Sequence, residues 1–212
     1  MDTQEQQDIE NIKPQRSFKW KKVLLQVVMD IIPVIIGILI ALYIDGVKEA
    51  QQDAQMLQET VQGLMREFQE NKGELEKAIA SQTVLIDSLE YYIAVDSVTL
   101  IQVLDRTNGV WSADISNVSW QNYLGTSGIS NLSFEGKSLL GKINAYHRNI
   151  IKKESELPAQ IYQVENFKIG KKQRQLKQLT IMILNDIIGT EETTLQLYTQ
   201  FEKLVKTKKH IH

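Results

Sequence analysis

The segment Val23 to Ile44 runs for 22 residues without lysine, arginine or glutamate. As a helix rising 1.5 Å per residue it would span roughly 33 Å, the thickness of a bilayer hydrocarbon core. Nothing else in the chain restricts its fold so tightly, because a helix apolar on all sides must sit in lipid or deep inside a protein. The segment nevertheless contains Asp30. Ile31 to Ile44 alone would cover about 21 Å, too little for a core of about 30 Å, so Asp30 is expected within the lipid unless the bilayer thins locally. A carboxylate at mid-bilayer costs roughly 2.5–3.5 kcal/mol, and less off-centre. Pro33 frees one backbone carbonyl, which a neighbouring helix or water can satisfy. Asp30, Val34, Gly37 and Ala41 fall on one helical face, and the Gly37/Ala41 pair permits close approach of another helix. Two readings of Asp30 stand side by side. It belongs to a packing face, snorkelled or protonated, or it is a proton- or ion-responsive carboxylate facing a partner subunit.

The flanking charge orients the segment. Lys13, Arg16, Lys19, Lys21 and Lys22 precede it with no acid among them, whereas Asp45, Lys48, Glu49 and Asp53 follow. The positive-inside rule then predicts a cytoplasmic tail over 1–22, a transmembrane helix over 23–44, and the remainder outside the cytoplasm. Trp20 and Tyr43 are placed to sit at the two interfaces. The apolar run is longer than that of a cleaved signal peptide and no A-x-A site follows, which reads as an uncleaved signal anchor.

From Val47 to Tyr92 the apolar residues recur at alternate steps of three and four: Val47, Ala50, Ala54, Leu57, Val61, Leu64, Phe68, then Leu75, Ala78, Leu85 and Leu89. Only Asn71 and Gln82 interrupt the series. With no proline inside, this spacing predicts a long stalk helix over 45–93 with a heptad seam, in which Leu57, Leu64, Phe68, Asn71 and Leu75 form the stalk core. From Met65 onward Met65, Ile79, Ile86 and Ile93 add a second apolar row, as in a helix that ends inside a bundle. Asn71 and Gln82 are either polar residues tolerated at an edge or a pair that fixes register between two copies.

Residues 94–212 read as a helical domain packed on the end of that helix. A short helix is expected over Asp96 to Arg106, capped by Asp96 or Ser97. A loop follows over Thr107 to Ser116, then one or two helical turns within Ser119 to Gly128, where Trp120 and Leu124 share a core-facing side. Glu135 to Glu156 is helical, and Pro158 marks a start, kink or boundary. Ala159 to Ile188 continues as helix. Gly189 is expected to stop it, with Thr190, Glu191 and Glu192 opening a last helix that ends at Lys208. Trp120, Leu124 and Tyr146 are the expected outer-domain anchors. The fold class is therefore mainly α: an N-terminal transmembrane helix, a stalk helix and an extracytoplasmic helical bundle.

Two stretches carry a resemblance. Asp30 to Leu42, D-I-I-P-V-I-I-G-I-L-I-A-L, followed by a long charged helix, and Ser119 to Gly128, S-W-Q-N-Y-L-G-T-S-G, with Leu139 and Tyr146 downstream, resemble an uncharacterised group of single-pass bacterial membrane proteins common in the Bacteroidetes. Members share an acidic residue before a G-I-L-I-A-L run and a W-x-x-L-x-x-S-G element. Here Asp45-Gly46-Val47-Lys48-Glu49 stands where the group has N-N-W-N-E, Tyr146-His147 where it has Tyr-Tyr, and one extra residue lies between Trp120 and Leu124. The resemblance implies an inner-membrane protein with an extracytoplasmic helical domain.

The chain contains no Walker loop, dinucleotide fingerprint, zinc-protease or nucleophile-elbow motif. It has no cysteine, three histidines and a net charge of −2. Thiolate metal sites are thereby excluded, and no basic field for nucleic acid is present. No catalytic residue, metal or cofactor is expected. His147 reads as a surface or boundary residue, and the tail His210 and His212 as frayed. The basic run Lys168, Lys171, Lys172, Arg174 and Lys177 reads as a solvated face. The expected function is a membrane-anchored scaffold or interaction subunit of an envelope complex, in a homo-oligomer or with another membrane-protein subunit. The alternative is a stator-like energy-coupling subunit using Asp30. An enzyme acting on envelope material ranks third.

Overall fold

A computed structural model of the chain describes residues 17–162, 169, 170 and 172–208. Lys13, Arg16, Lys168, Lys171, His210 and His212, named above for charge or metal binding, lie outside the described residues. Helices dominate and no strand occurs among the described residues. The chain divides into two compact units, Met1–Gln52 and Asp53–His212.

The described part of the first unit is wholly helical and belongs to α1, Ser17–Tyr91. Pro33 lies inside this helix. Val23 to Ile44 shows its apolar side chains on every side without cover from the chain itself. It is the one described helix long and apolar enough to cross a membrane. Covering a large aliphatic side chain is worth roughly 1.5–3 kcal/mol, so a run of this length has a strong drive into lipid or against another protein.

The second unit contains the rest of α1, with α2 (Leu100–Arg106), α3 (Val118–Tyr123), α4 (Ser127–Ser130), α5 (Phe134–Ile161) and α6 (Lys172–Lys208). α6 runs antiparallel to α5 and α1: His147 meets Tyr198 while Lys153 meets Asp186, and Phe68 stacks on Tyr198 while Gln82 bonds Glu191. Between α1 and α5 the chain returns along α1 by an unusual route. Trp111 lies against Gln82, Ser116 against Asn71, Ser119 against Glu67, Tyr123 against Gly63 and Gly128 against Thr60. The unit is thus an up-down-up-down bundle whose second element is mostly an extended segment followed by two short helices. A Cβ on Gly128 would run into the Thr60 side chain and approach Met56 O to 2.9 Å, and one on Gly63 would meet the Tyr123 ring at 2.8 Å. These glycines allow the returning segment to lie directly on α1.

Two hydrophobic clusters fill the bundle. Leu64, Phe68, Leu75, Leu140, Ile143 and Phe201 centre one; Leu85, Leu89, Val103, Leu157, Leu184 and Ile187 centre the other. Several sequence expectations are corrected here. Gly189 does not end a helix, since α6 passes through it. Its helix penalty of about 1 kcal/mol is outweighed by burial of Leu184 and Ile187 before it and of Leu197 and Phe201 after it. α5 continues three residues beyond Pro158, whose carbonyl accepts from Tyr162 N. α2 begins at Leu100 rather than Asp96, capped by Thr99 in a capping box with Gln102. Asn108 and Gly109, both with positive φ, turn the chain after α2.

Candidate functional site

Within the first unit, Asp30, Pro33, Gly37 and Ala41 are all exposed on α1. No atom would approach a Cβ on Gly37. In the second unit Leu64, Phe68, Asn71 and Leu75 are buried, whereas Leu57 is half-exposed. Trp120 and Tyr146 pack half-buried against the first cluster. Leu124 is 59% exposed and is not an anchor. It is the C-cap of the six-residue α3, with extended backbone, so it does not share the helical face of Trp120.

The returning segment explains the polar residues in the seam. An irregular stretch inside a bundle lacks the i to i−4 ladder, yet its buried N–H and C=O groups need partners. Side chains of the long helices supply them. Asn71 Nδ2 donates to Ser116 O at 2.7 Å and its Oδ1 accepts from Ser116 N at 2.9 Å. Glu67 Oε2 accepts from Ser119 N at 2.6 Å and from the Ser116 hydroxyl at 3.2 Å. Glu154 Oε1 accepts from Ala113 N at 2.9 Å, and Gln82 Nε2 donates to Trp111 O at 3.3 Å. Asn71 and Gln82 are therefore neither edge residues nor a register pair between copies, because both are buried within their own bundle.

Gln82 Nε2 also donates to Glu191 Oε1 at 3.0 Å. Glu191 is fully buried, and burial pushes its carboxyl up to about 7, with the neighbouring Glu154 and Glu192 adding to the rise against the opposing Gln82 bond. Burial likewise pushes Glu154 up, against the Ala113 bond. Glu191 Oε2 and Gln82 Oε1 have no partner. A proton on Glu191 turns an acceptor into a donor, which is what this pair of acceptors lacks.

His147 is 2% exposed, not a surface residue, and shares a hydrogen bond with the Tyr198 hydroxyl. Burial lowers its pKa to about 4, so the ring is neutral, and burial raises Tyr198. Lys177 is also no part of a solvated face. It is fully buried, and its ammonium donates to Tyr92 O at 2.6 Å and Val95 O at 2.9 Å, closing the end of α1. Cations suit this position because a helix C-terminus presents unpaired carbonyls. No cluster of three or more potential metal ligands occurs among the described residues. Chemically, this polar row supplies hydrogen bonds and fixes charge states inside the bundle.

The surface offers a different feature. Ala54, Leu57 and Val61 of α1, Leu132 before α5, and Phe201, Leu204 and Val205 of α6 line a groove of about 530 Å³. A second groove of about 500 Å³, reaching Met65 and Glu202, shares Val61, Gln62 and Val205 with it. The two form a cleft between α1 and the last turns of α6. Fold and site together define a helical bundle with a mainly apolar cleft, bordered at one end by Arg66, Glu202 and Lys206, and among the described residues one helix is long and apolar enough to cross a membrane. No known protein family, curated protein or solved structure matches the chain.

Proposed function

We propose that this chain is a membrane-anchored helical interaction subunit of an inner-membrane or envelope complex, with its N-terminus in the cytoplasm and the Asp53–His212 unit on the periplasmic side. The observation that carries this reading is the pairing of an uncovered apolar helix with an apolar cleft on the bundle. An exposed contiguous apolar surface on a folded domain marks an interaction site. The polar interior supports a binding role in another way. Its carboxylates and imidazole each bond groups within the bundle, and the cleft that opens to the surface is mainly apolar. The test is extraction from native membranes in mild detergent followed by mass measurement of the intact particle. A mass above that of one chain supports the proposal; a bare monomer in every detergent, with no protein co-extracted, contradicts it.

A second reading follows from Asp30, the carboxylate within the apolar run. In a stator-like subunit this residue would exchange protons during energy coupling. Intramembrane acids are functional by default, since their insertion penalty must be offset. Asp30→Asn separates the two readings. Energy coupling predicts loss of function with assembly intact; a packing role predicts normal function or altered assembly.

A further inference from the structure

We propose that the cleft beside Leu57 and Val61 takes the same stretch of a second copy of this chain, side by side and in register. This inference rests on the association reading above and names the partner. It starts from where the seam of α1 loses its cover. Leu64, Phe68 and Leu75, on the three-four spacing, are buried by their own bundle. One step earlier, Val61 and Leu57 are only half-covered, and Ala54 is exposed. The spacing does not change at that point, and it continues back in sequence through Ala50 to Val47. A mean step of 3.5 residues is the pattern of a helix wound on another helix, whereas a single helix buried on a globular surface follows 3.6. The uncovered stretch is thus patterned for a helical partner.

Two features make that partner a second copy. First, Val47, Ala54 and Val61 occupy one core position of the heptad and Ala50 and Leu57 the other; valine at the first with leucine at the second favours two parallel strands, and the small alanines let the helices approach closely. A shared membrane orientation allows copies to associate along this helix only in parallel. Second, nothing beside the strip repels a second copy. Gln51 and Gln58 flank the strip on one side and Asp53 on the other, while Thr60, next on that side, is buried under Gly128 of its own chain. In register, Asp53 of one copy faces Gln58 of the other, so no like charges meet. Lys48, Glu49 and Glu59 fall on the outer face, and the charged Arg66, Glu202 and Lys206 line the far end of the cleft, below Val61. Leu204 and Val205 of α6 continue the apolar lining beyond α1, giving the contact a breadth that one helical stripe lacks.

The natural chain has no cysteine, so single cysteines report without background. The full chain, in native membranes, is oxidised as Ala54→Cys, Leu57→Cys, Gln55→Cys and Glu59→Cys. The first two lie on the strip; the last two are exposed and face away. We expect disulfide-linked dimers at 54 and 57 to form at least about tenfold faster than at 55 and 59, since side chains outside a two-helix seam do not meet. Equal rates at all four positions indicate random collision and overturn the proposal. In the absence of dimers, a photo-crosslinker at Leu57 separates two failures. Capture of a protein of different mass rejects self-pairing but leaves an interaction subunit. No capture, with a monomeric particle, rejects both.

Discussion

Glu191→Gln will change how stability depends on pH, and the direction follows from two buried groups that oppose one another. Glu191 titrates at 4.5 when unfolded and at about 7 in the bundle. Between those values the folded state holds a proton that the unfolded state lacks, so stability falls as pH rises from 4.5 to 7. At ~1.4 kcal/mol for each pH unit, the effect is on the order of 3 kcal/mol. His147 titrates at 6.5 when unfolded and about 4 when folded. Between those values the unfolded state holds the extra proton, so stability rises with pH by a similar amount, on the order of 3 kcal/mol. Between pH 4.5 and 6.5 the two slopes oppose one another, and the raised Glu154 adds to the fall. Glutamine at 191 keeps the acceptor for Gln82 Nε2 and adds a donor for its Oε1, while removing the titration. The variant will therefore gain stability relative to the natural chain as pH rises from 4.5 to 7, and will exceed it at pH 8. Urea unfolding of both full chains in detergent, followed by circular dichroism at half-unit pH steps, reads this directly. Parallel curves for the two proteins, or a variant less stable at pH 8, would refute the opposing-charge argument.

Other expectations concern the returning segment. Asn71→Ala strips both backbone partners of Ser116. It should cost about 2–4 kcal/mol, since each orphaned group costs roughly 1–3 kcal/mol and water reaches the half-buried Ser116; hydrogen exchange at Ser116 should accelerate in step. Gly128→Ala forces a Cβ against Thr60 and Met56 O, and a loss of about 1–3 kcal/mol in the same unfolding assay is expected. Lys177→Met leaves the Tyr92 and Val95 carbonyls without their ammonium partner. Exchange should rise over residues 92–99 with a loss of about 1–3 kcal/mol, and unchanged protection there would count against the capping role.

Periodicity made much of the fold legible. The apolar run and the three-four rhythm of α1 foretold helices over those residues, and Leu64, Phe68 and Leu75 are core residues of the bundle. Local signals misled where tertiary packing was stronger. Gly189 and the acids after it look like a stop and a fresh start, yet Glu191 points into the bundle at Gln82. The polar interior was hidden for a related reason. Glu154 stands three residues from Leu157 and four from Ile150, His147 three from Ile150 and four from Ile143, and Lys177 three from Thr180. Each keeps the rhythm of a buried face, and that was the available signal: a charged or titratable residue at a core position implies a partner to satisfy. The partners of Glu154 and Lys177 are backbone groups outside the helices, which leave no periodic trace of their own, and that of His147 is the Tyr198 hydroxyl. Asn71 and Gln82 were noticeable as breaks in the seam, but their role depends on Trp111 and Ser116, far away in sequence.

Everything functional in this account depends on the apolar helix holding the chain in a bilayer with the bundle on the far side from the cytoplasm. Phe134 is 88% exposed on the bundle, and the chain has no cysteine of its own. The direct measurement is labelling of Phe134→Cys in intact spheroplasts with a membrane-impermeant maleimide, after which membranes are washed in alkaline carbonate. The account predicts labelling before lysis and retention in the washed membranes. Labelling only after lysis, or release into the soluble fraction, would contradict it.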